Sequence, residues 1–156
     1  MISEMRRSDR AISREEADEL LGRCLFGVLS TTCEDGQPYA VPISYAYDGN
    51  RIVIHGAKGV GQKLRNMQAD PRVCFTVVGE VQTEPGKFST KYESVIVFGE
   101  AREIEDMDAK KAALHLLIDK YSNDFQERGA KYIDGAAAKT SVMEIDIQEV
   151  TAKARR

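Results

Sequence analysis

The order of apolar and polar positions first predicts a helix near the start of the chain. Between residues 17 and 24 the apolar side chains recur at the spacing of one helical face, and Ser13 with Glu16 forms a capping-box pattern ahead of them. Together these features predict a short amphipathic helix over Ser13–Arg23.

Three β-rich runs follow, and tight turns separate them. The runs cover Leu25–Thr32, Tyr39–Tyr47 and Arg51–His55, with Asp35-Gly36 in the first turn and Asp48-Gly49-Asn50 in the second. Connections of only a few residues join strands that lie antiparallel. This part of the chain is therefore predicted to form an antiparallel meander.

The middle of the chain changes to a helix and then returns to strands. A glycine-rich bend leads into a helical stretch that runs to about Ala69. Two further strands are predicted over Val73–Val81 and Ser94–Ile104, with a loop between them at Glu84-Pro85-Gly86. Gly99 lies inside the second of these strands, where a glycine often marks a bulge or bend.

The last third is predicted to hold a helix, a loop and a final strand. Asp106 or Asp108 can cap the helix, whose apolar face continues to about Tyr121. A loop is expected over Ser122–Lys139 and a strand over Val142–Val150. Six or seven strands, two or three short helices and no repeating βαβ pattern predict a mainly β fold. We expect an antiparallel β-barrel, closed or partly closed, with the helices outside it.

The composition limits the number of domains, the kinds of partner and the cellular location that we expect. The 156 residues, 42% of them hydrophobic, suffice for one domain spanning 1–156 with a core at about residues 12–150. A net charge of −3 argues against a nucleic-acid partner. The apolar runs are too short to span a membrane and the charged start lacks a signal-peptide core, so a cytoplasmic protein is expected. The cysteine spacing fits neither a disulfide framework nor a zinc site, and no metal is expected.

The glycine-rich bend is the segment with the most chemical content. It reads His55-Gly56-Ala57-Lys58-Gly59-Val60-Gly61-Gln62-Lys63, between a predicted strand and a predicted helix. Free backbone N–H groups at a helix start, with a nearby ammonium, suit a phosphate monoester. The segment is neither a Walker A loop nor a GxGxxG fingerprint. Taken alone, it is equally consistent with a plain turn and a solvated Lys63.

The order and spacing of several short motifs resemble a known family. This family is the pyridoxamine-phosphate-oxidase-like FMN-binding split barrels, in the branch related to 5-nitroimidazole reductases. The resemblance runs from about Ile12 to Val150. Its markers are Phe26-Gly27-Val28-Leu29-Ser30, Gly36-Gln37-Pro38-Tyr39-Ala40-Val41-Pro42-Ile43-Ser44-Tyr45, Ile52-Val53-Ile54-His55-Gly56-Ala57, Gly61-Gln62-Lys63, Asp70-Pro71-Arg72-Val73-Cys74-Phe75 and Tyr92-Glu93-Ser94-Val95-Ile96-Val97-Phe98-Gly99-Glu100-Ala101.

The resemblance implies a non-covalent FMN site at the interface of a homodimer. The flavin ring would lie beside Pro42, Ile43, Ser44 and Tyr45, and the phosphate near Gly56, Ala57 and Lys63. His55 would also contact the cofactor, facing the flavin region. Tyr92, Ser94 and Val95 would complete the site. Strand alternation places Ser44 and Tyr45 on opposite faces, so at most one of these side chains is expected to contact the ring directly.

The implied activity is that of an FMN-dependent oxidoreductase that passes electrons to a small organic acceptor such as a nitroaromatic or nitroimidazole. His55 is the candidate catalytic residue, as a hydrogen-bond or proton donor to the substrate; the alternative is that it bonds a backbone carbonyl and stabilises the bend. The short sequence after Val150 departs from true pyridoxamine phosphate oxidases, which makes vitamin B6 oxidation doubtful. The alternatives are a non-enzymatic flavin carrier or sensor, and a split barrel that uses deazaflavin or haem.

Overall fold

The computed structural model describes residue 2 and residues 4–156. Within these residues the chain forms seven strands and four α-helices, joined by turns and short 3-10 segments. The elements are α1 (Arg14–Arg23), β1 (Gly27–Thr32), β2 (Pro38–Ile43), β3 (Ala46–Tyr47), β4 (Arg51–Ala57), α2 (Gln62–Ala69), β5 (Arg72–Glu84), β6 (Ser89–Glu103), α3 (Met107–Tyr121), α4 (Gln126–Ala136) and β7 (Thr140–Arg155).

All seven strands belong to one antiparallel sheet. Its order is β2-β1-β5-β6-β7-β4-β3, so β2 and β3 lie at opposite edges although only Ser44 and Tyr45 separate them in sequence. A two-residue link can join the two edges only because the sheet curls round on itself. The predicted split barrel of six or seven antiparallel strands is therefore confirmed.

Strand β7 connects the two halves of the barrel. Its first part pairs with β4, where Val142 lies opposite His55, and nearly all of it pairs with β6. The β6–β7 register shifts between Phe98 and Gly99. A Cβ atom on Gly99 would lie 2.1 Å from the Asp146 carbonyl oxygen, a contact that backbone atoms cannot relieve. The predicted bulge at Gly99 is thus confirmed, with close backbone approach as its physical cause.

The main core fills the barrel, and α1 packs against it. Ser13 and Glu16 form the predicted capping box, which fixes where α1 begins. Its buried face joins the barrel core around Tyr45 and Phe75, whose rings meet edge to face with centroids 4.8 Å apart. The Tyr45 hydroxyl donates to the Leu21 carbonyl oxygen at 2.6 Å, so this buried polar group is satisfied by the end of α1.

A second core lies outside the barrel, between the sheet and the pair α3–α4. Asp106 caps α3 by accepting a hydrogen bond from the Ala109 N–H at 2.9 Å. The two helices approach closely at Gly129, where a Cβ atom would lie 2.6 Å from Ile118 Cγ2. No helix in the described part of the chain is both long enough and apolar enough to cross a membrane.

Three predictions of local structure were wrong. Tyr39–Tyr47 is not one strand, because the chain leaves the β2 edge after Ile43 and rejoins the sheet at the other edge in β3. The predicted loop over Ser122–Lys139 contains α4. The last strand does not end at Val150; it continues to Arg155, because β6 offers pairing partners along its whole length.

The paired strands β5 and β6 also extend beyond their predicted limits of Val81 and Ser94. They form a long hairpin whose tip is the short 3-10 segment Pro85–Lys87, which lies in the predicted loop. Ladder hydrogen bonds between two neighbouring strands can maintain β structure past the apolar pattern that marks a strand in sequence.

Lys120 is the one buried side-chain nitrogen without a hydrogen-bond partner among the described residues. Its Nζ lies 3.6 Å from the centroid of the Tyr45 ring and 5.3 Å from that of Tyr121. Burial lowers the pKa of Lys120 to about 8, and a smaller opposing effect comes from the nearby Cys24 thiol. The two aromatic faces therefore offset only part of the cost of burying this ammonium.

We expect Lys120→Met to stabilise the protein at pH 7 and to lose this advantage at higher pH. Below pH 8 the amine is protonated in both folded and unfolded chains, so the folded protein carries the whole cost, on the order of 1 kcal/mol after the ring contacts are allowed for. Between pH 8 and about 10.4 the unfolded chain binds more protons, and wild-type stability rises relative to the variant. Urea unfolding at pH 7, 9 and 10 measures this, with Lys131→Met as the exposed control. A pH-independent difference would contradict the assignment.

Candidate functional site

The candidate site begins where β4 ends. Alternation along β4 sends Ile54 into the barrel core and Val53 toward the helix layer. His55 therefore points to the α3–α4 side, and Gly56 points to the side occupied by α2. His55 and Gly56 are adjacent in sequence but therefore face two different surfaces.

The glycine-rich loop after β4 is held against the start of β7. The Lys58 N–H donates to the Lys139 carbonyl oxygen at 3.0 Å, and the Gly59 N–H donates to Ser141 Oγ at 3.3 Å. Gly59 and Gly61 have φ angles of 70° and 105°, which favour glycine at both positions. These contacts fix the direction in which the chain enters α2.

Helix α2 begins without a side-chain cap. Gly61 occupies the N-cap position and makes no side-chain hydrogen bond to the first turn. The leading N–H groups of α2 are consequently left without helical partners, and the positive end of the helix dipole lies at the same place. Such a helix start can accept an anion.

Lys63 extends from this first turn across Gly56. A Cβ atom on Gly56 would lie 3.1 Å from Lys63 Nζ, so the absent side chain leaves room for the ammonium beside β4. Lysine ion pairs in the described residues involve Lys87, Lys111 and Lys131 but not Lys63. The structure therefore brings Gly56, Ala57 and Lys63 together at one small niche, which His55 and Ser141 also line.

His55 lies between the niche and the helix layer. Burial, with a smaller contribution from the Lys63 ammonium, lowers the pKa of His55 below its ordinary value, although solvent still reaches part of the ring. The imidazole is therefore neutral at pH 7, with one nitrogen that donates a hydrogen bond and one that accepts.

The segment Pro42–Tyr45 reaches this site from the β2 edge. Pro42 and Ser44 are exposed, Ile43 is half-buried and Tyr45 is fully buried in the barrel core. Ser44 and Tyr45 lie in the link between β2 and β3 and not within a strand, so the predicted alternation of strand faces does not apply to them.

Tyr121 holds this segment in place. Its hydroxyl accepts a hydrogen bond from the Tyr45 N–H at 3.0 Å and donates to the Leu25 carbonyl oxygen at 2.6 Å, with the Tyr45 carbonyl oxygen 2.9 Å away. Both the ring and the backbone of Tyr45 are therefore engaged within the protein. A direct contact of Tyr45 with a flavin stays a prediction.

Tyr92, Ser94 and Val95 lie far from the niche within one chain. Along β7, Val142 lies opposite His55, whereas Ala152 lies opposite Val95, and these positions are separated by roughly 33 Å of extended strand. The Tyr92 hydroxyl accepts a hydrogen bond from Arg10 at 3.3 Å, Ser94 is half-buried, and Val95 is fully buried in the barrel core. Their predicted part in a cofactor site needs a second chain and remains a prediction.

Sequence reasoning missed Ser141 and Tyr121 as members of this region. Ser141 lies opposite Gly56 across the β4–β7 ladder, and no sequence signal connects residues so far apart in the chain. Tyr121 ends the amphipathic helix α3, as predicted. Its hydroxyl bridges the backbone of Leu25 and the link between β2 and β3, and the sequence did not predict that link.

Comparison with known proteins places this geometry in context. The model of the family described as Pyridoxamine 5'-phosphate oxidase matches residues 13–154. A candidate 5-nitroimidazole antibiotic resistance protein from Bacteroides thetaiotaomicron has a similar structure, with a TM-score of 0.79 and 24% identity over 92% of this chain and 86% of that chain. At that identity the likeness concerns the fold alone.

Two further solved structures are similar over most of this chain. An FAD-binding protein from Mesorhizobium loti is 26% identical, with a TM-score of 0.69 over 94% of this chain and 98% of that chain. An FAD- and haem-binding protein from Mycobacterium smegmatis is 26% identical, with a TM-score of 0.77 over 94% of this chain and 73% of that chain. Because the family model spans nearly the whole chain and the neighbours share its split barrel, this protein belongs to the pyridoxamine 5'-phosphate oxidase family.

Proposed function

We propose that the protein is an FMN-dependent oxidoreductase, active as a homodimer, that transfers electrons to a small organic acceptor. The observation that carries the proposal is the niche at the end of β4. There the uncapped start of α2 and the unpaired Lys63 ammonium lie together, with the His55 imidazole beside them. A phosphate-binding group and a candidate proton donor thus share one strand end.

The charged and N–H groups at this strand end suit a phosphate monoester with an attached aromatic ring, which would lie outside the niche because the niche has a volume of only about 10 Å³. Free N–H groups at the start of α2 and the Lys63 ammonium complement a doubly charged phosphate. The outward edge of β2 has no strand neighbour in the described sheet, so backbone groups around Pro42–Ser44 are free to bond polar atoms of a ring. Exposed Pro42 and half-buried Ile43 supply apolar cover.

The related proteins support a flavin ligand without selecting FMN. The Mesorhizobium protein binds FAD, and the Mycobacterium protein binds FAD and haem. We favour FMN because the described residues form a single candidate phosphate-binding niche. FAD, deazaflavin and haem are the competing ligands, and carriage of a flavin without turnover is the competing role.

A homodimer would explain why the predicted site residues form two groups that lie apart within one chain. One chain would supply His55, Gly56 and Lys63, and its partner would supply the region of Tyr92 and Ser94. The separation along β7 makes contact of both groups with one ligand in a single chain unfavourable. Sites shared across a two-fold axis occur in pairs, one on each side.

The chain's own groups have distinct parts in the proposed reaction. When bound, the flavin would supply the electron-transfer chemistry. Lys63 and the α2 start neutralise its phosphate and anchor it. His55 donates a hydrogen bond or a proton to the acceptor at its imidazole nitrogen. The apolar side chains of α3 behind His55 would cover one side of an acceptor bound there.

The cofactor prediction is tested by the absorbance spectrum of the purified protein, followed by release and chromatography of the bound compound. We expect about one FMN per chain and a loss of at least roughly tenfold in FMN affinity in Lys63→Ala, because one charge-assisted contact is removed. Lys111→Ala is the control, since Lys111 forms an ion pair with Asp134 on the α3–α4 surface.

The alternatives give different results in the same experiment. Released FAD, deazaflavin or haem would replace FMN as the proposed cofactor. A protein that carries no flavin and refuses added FMN would overturn the proposal, as would equal retention of FMN by Lys63→Ala and wild type.

The role of His55 is tested by the reoxidation of reduced enzyme with a single-ring nitroaromatic. We expect His55→Gln to retain FMN but to react about 10²-fold more slowly, in the range for loss of a proton donor. The wild-type rate should rise as the pH falls toward the lowered pKa of His55, because only the protonated imidazole carries an extra proton, and His55→Gln should lack this rise.

His115→Gln is the matched control, since His115 is the second of the two histidines and bonds Gln126 on the helix surface. If His55→Gln reacts as fast as His115→Gln at every pH, His55 has no catalytic role. If the wild-type protein reoxidises no faster than free FMN, the carrier alternative replaces the enzyme.

A further inference from the structure

A second cavity lies on the other side of His55, between the sheet and the helices α3 and α4. Its volume is about 230 Å³. Most of its wall is aliphatic or aromatic, and the side chains come from both helices. The main apolar contributors are Leu114, Leu117, Ile118, Tyr121, Ile133 and Ala136.

Polar side chains also line this cavity, namely those of His55, Tyr121, Ser122, Tyr132 and Thr140, and two of them are already engaged. Thr140 Oγ1 donates to the Ala136 carbonyl oxygen at 2.9 Å. The Tyr121 hydroxyl is occupied by the backbone of Tyr45 and Leu25. By contrast, the described residues provide no hydrogen-bond partner for the His55 ring. Ser122 and Tyr132 also line the open groove that adjoins the cavity, so His55 is the unengaged polar group on the sheet side of the apolar wall, where it can orient a small ligand.

The size of the cavity limits what it can hold. An apolar cavity of about 150 Å³ accommodates benzene, whereas pockets for drug-sized ligands start near 300 Å³. A volume of about 230 Å³ therefore fits one aromatic ring with a small substituent, and a fused ring system would have to extend through the mouth into the open groove. The apolar wall also penalises a charged ligand, because such a wall cannot replace its hydration.

The cavity is accessible from the helix side. Ile118, Ser122 and Tyr132 line both the cavity and an open surface groove that continues toward Phe125 and Arg128. Tyr132 is 74% exposed and Phe125 is 54% exposed, so the mouth carries two aromatic rings in contact with solvent. A ligand can enter by this route without crossing the Lys63 niche or the β2 edge.

We propose that this cavity binds an uncharged single-ring aromatic ligand whose oxygen acceptor receives a hydrogen bond from His55. The proposal rests on the proposed function, because the ligand would then be the electron acceptor of the flavin site. His55 would connect the two compartments, with the phosphate niche on one side and the acceptor on the other. Its neutral state at pH 7, favoured by the lowered pKa, suits an uncharged ligand.

The test uses benzamide as the probe, because it is uncharged, has one ring and carries a carbonyl acceptor. Imidazole nitrogen shifts are followed by NMR, with His115 as the internal reference. We expect benzamide to shift His55 and leave His115 unchanged. Benzoate, with the same shape but a negative charge, should bind at least about tenfold more weakly, and 2-naphthamide should also bind more weakly than benzamide.

Two Ala→Phe variants test whether benzamide binds in the cavity. Ala136→Phe fills the cavity and should weaken benzamide binding by about tenfold or more. Ala138→Phe is the control, since Ala138 is exposed two residues further along the chain and does not line the cavity. Should Ala136→Phe fail to fold, the comparison of benzamide with 2-naphthamide on the wild-type protein still tests the size limit.

The outcomes separate this proposal from the proposed function. Titrations are made on the protein as purified and after any cofactor has been removed. Three results would overturn the acceptor cavity even if FMN is bound. They are the absence of a His55 shift, equal binding of benzoate and benzamide, and an equal loss of benzamide affinity in Ala136→Phe and Ala138→Phe. A protein without flavin that binds benzamide at His55 would retain the cavity as a ligand site and overturn only its role as the acceptor site.

Discussion

The arrangement of the candidate site depends on the hydrogen-bond ladders of β7. This strand pairs with β4 at its start and with β6 over nearly all of its length, so it fixes the distance between the His55–Lys63 region and the Tyr92–Val95 region. The bulge at Gly99 adjusts the curvature but does not bring the two regions together. This separation along β7 is the reason for proposing that a ligand in contact with both regions lies between two chains.

Local signals in the sequence were sufficient for much of the fold. The capping box at Ser13 and the bulge at Gly99 were predicted because each depends on residues close in sequence or on a single glycine. Helix α4 was not predicted: it is polar, holds two glycines, and buries only Gly129 and Ile133. Its formation depends on packing against α3, where Gly129 meets Ile118, and that contact has no local signature.

The residues of the candidate site also divide into those that are close in sequence and those that tertiary packing brings together. The grouping of Gly56, Ala57 and Lys63 followed from their closeness in sequence, whereas Ser141 and Tyr121 reach the site only through strand pairing and helix packing. His55 joins these two kinds of residue. Its backbone belongs to the predicted glycine-rich bend, and its side chain faces a helix layer of which α3 was predicted and α4 was not. We therefore regard it as the residue that would couple cofactor and acceptor.

The most direct test of the two-chain site is complementation between inactive partners. Lys63→Ala and Tyr92→Ala are purified separately, unfolded, mixed in equal amounts and refolded, and FMN binding is titrated. If each site combines Lys63 of one chain with Tyr92 of the other, half of the dimers are mixed and about one site in four regains wild-type affinity. If both residues act within the same chain, or if Tyr92 is not part of the site, the mixture binds FMN no better than the average of the two variants.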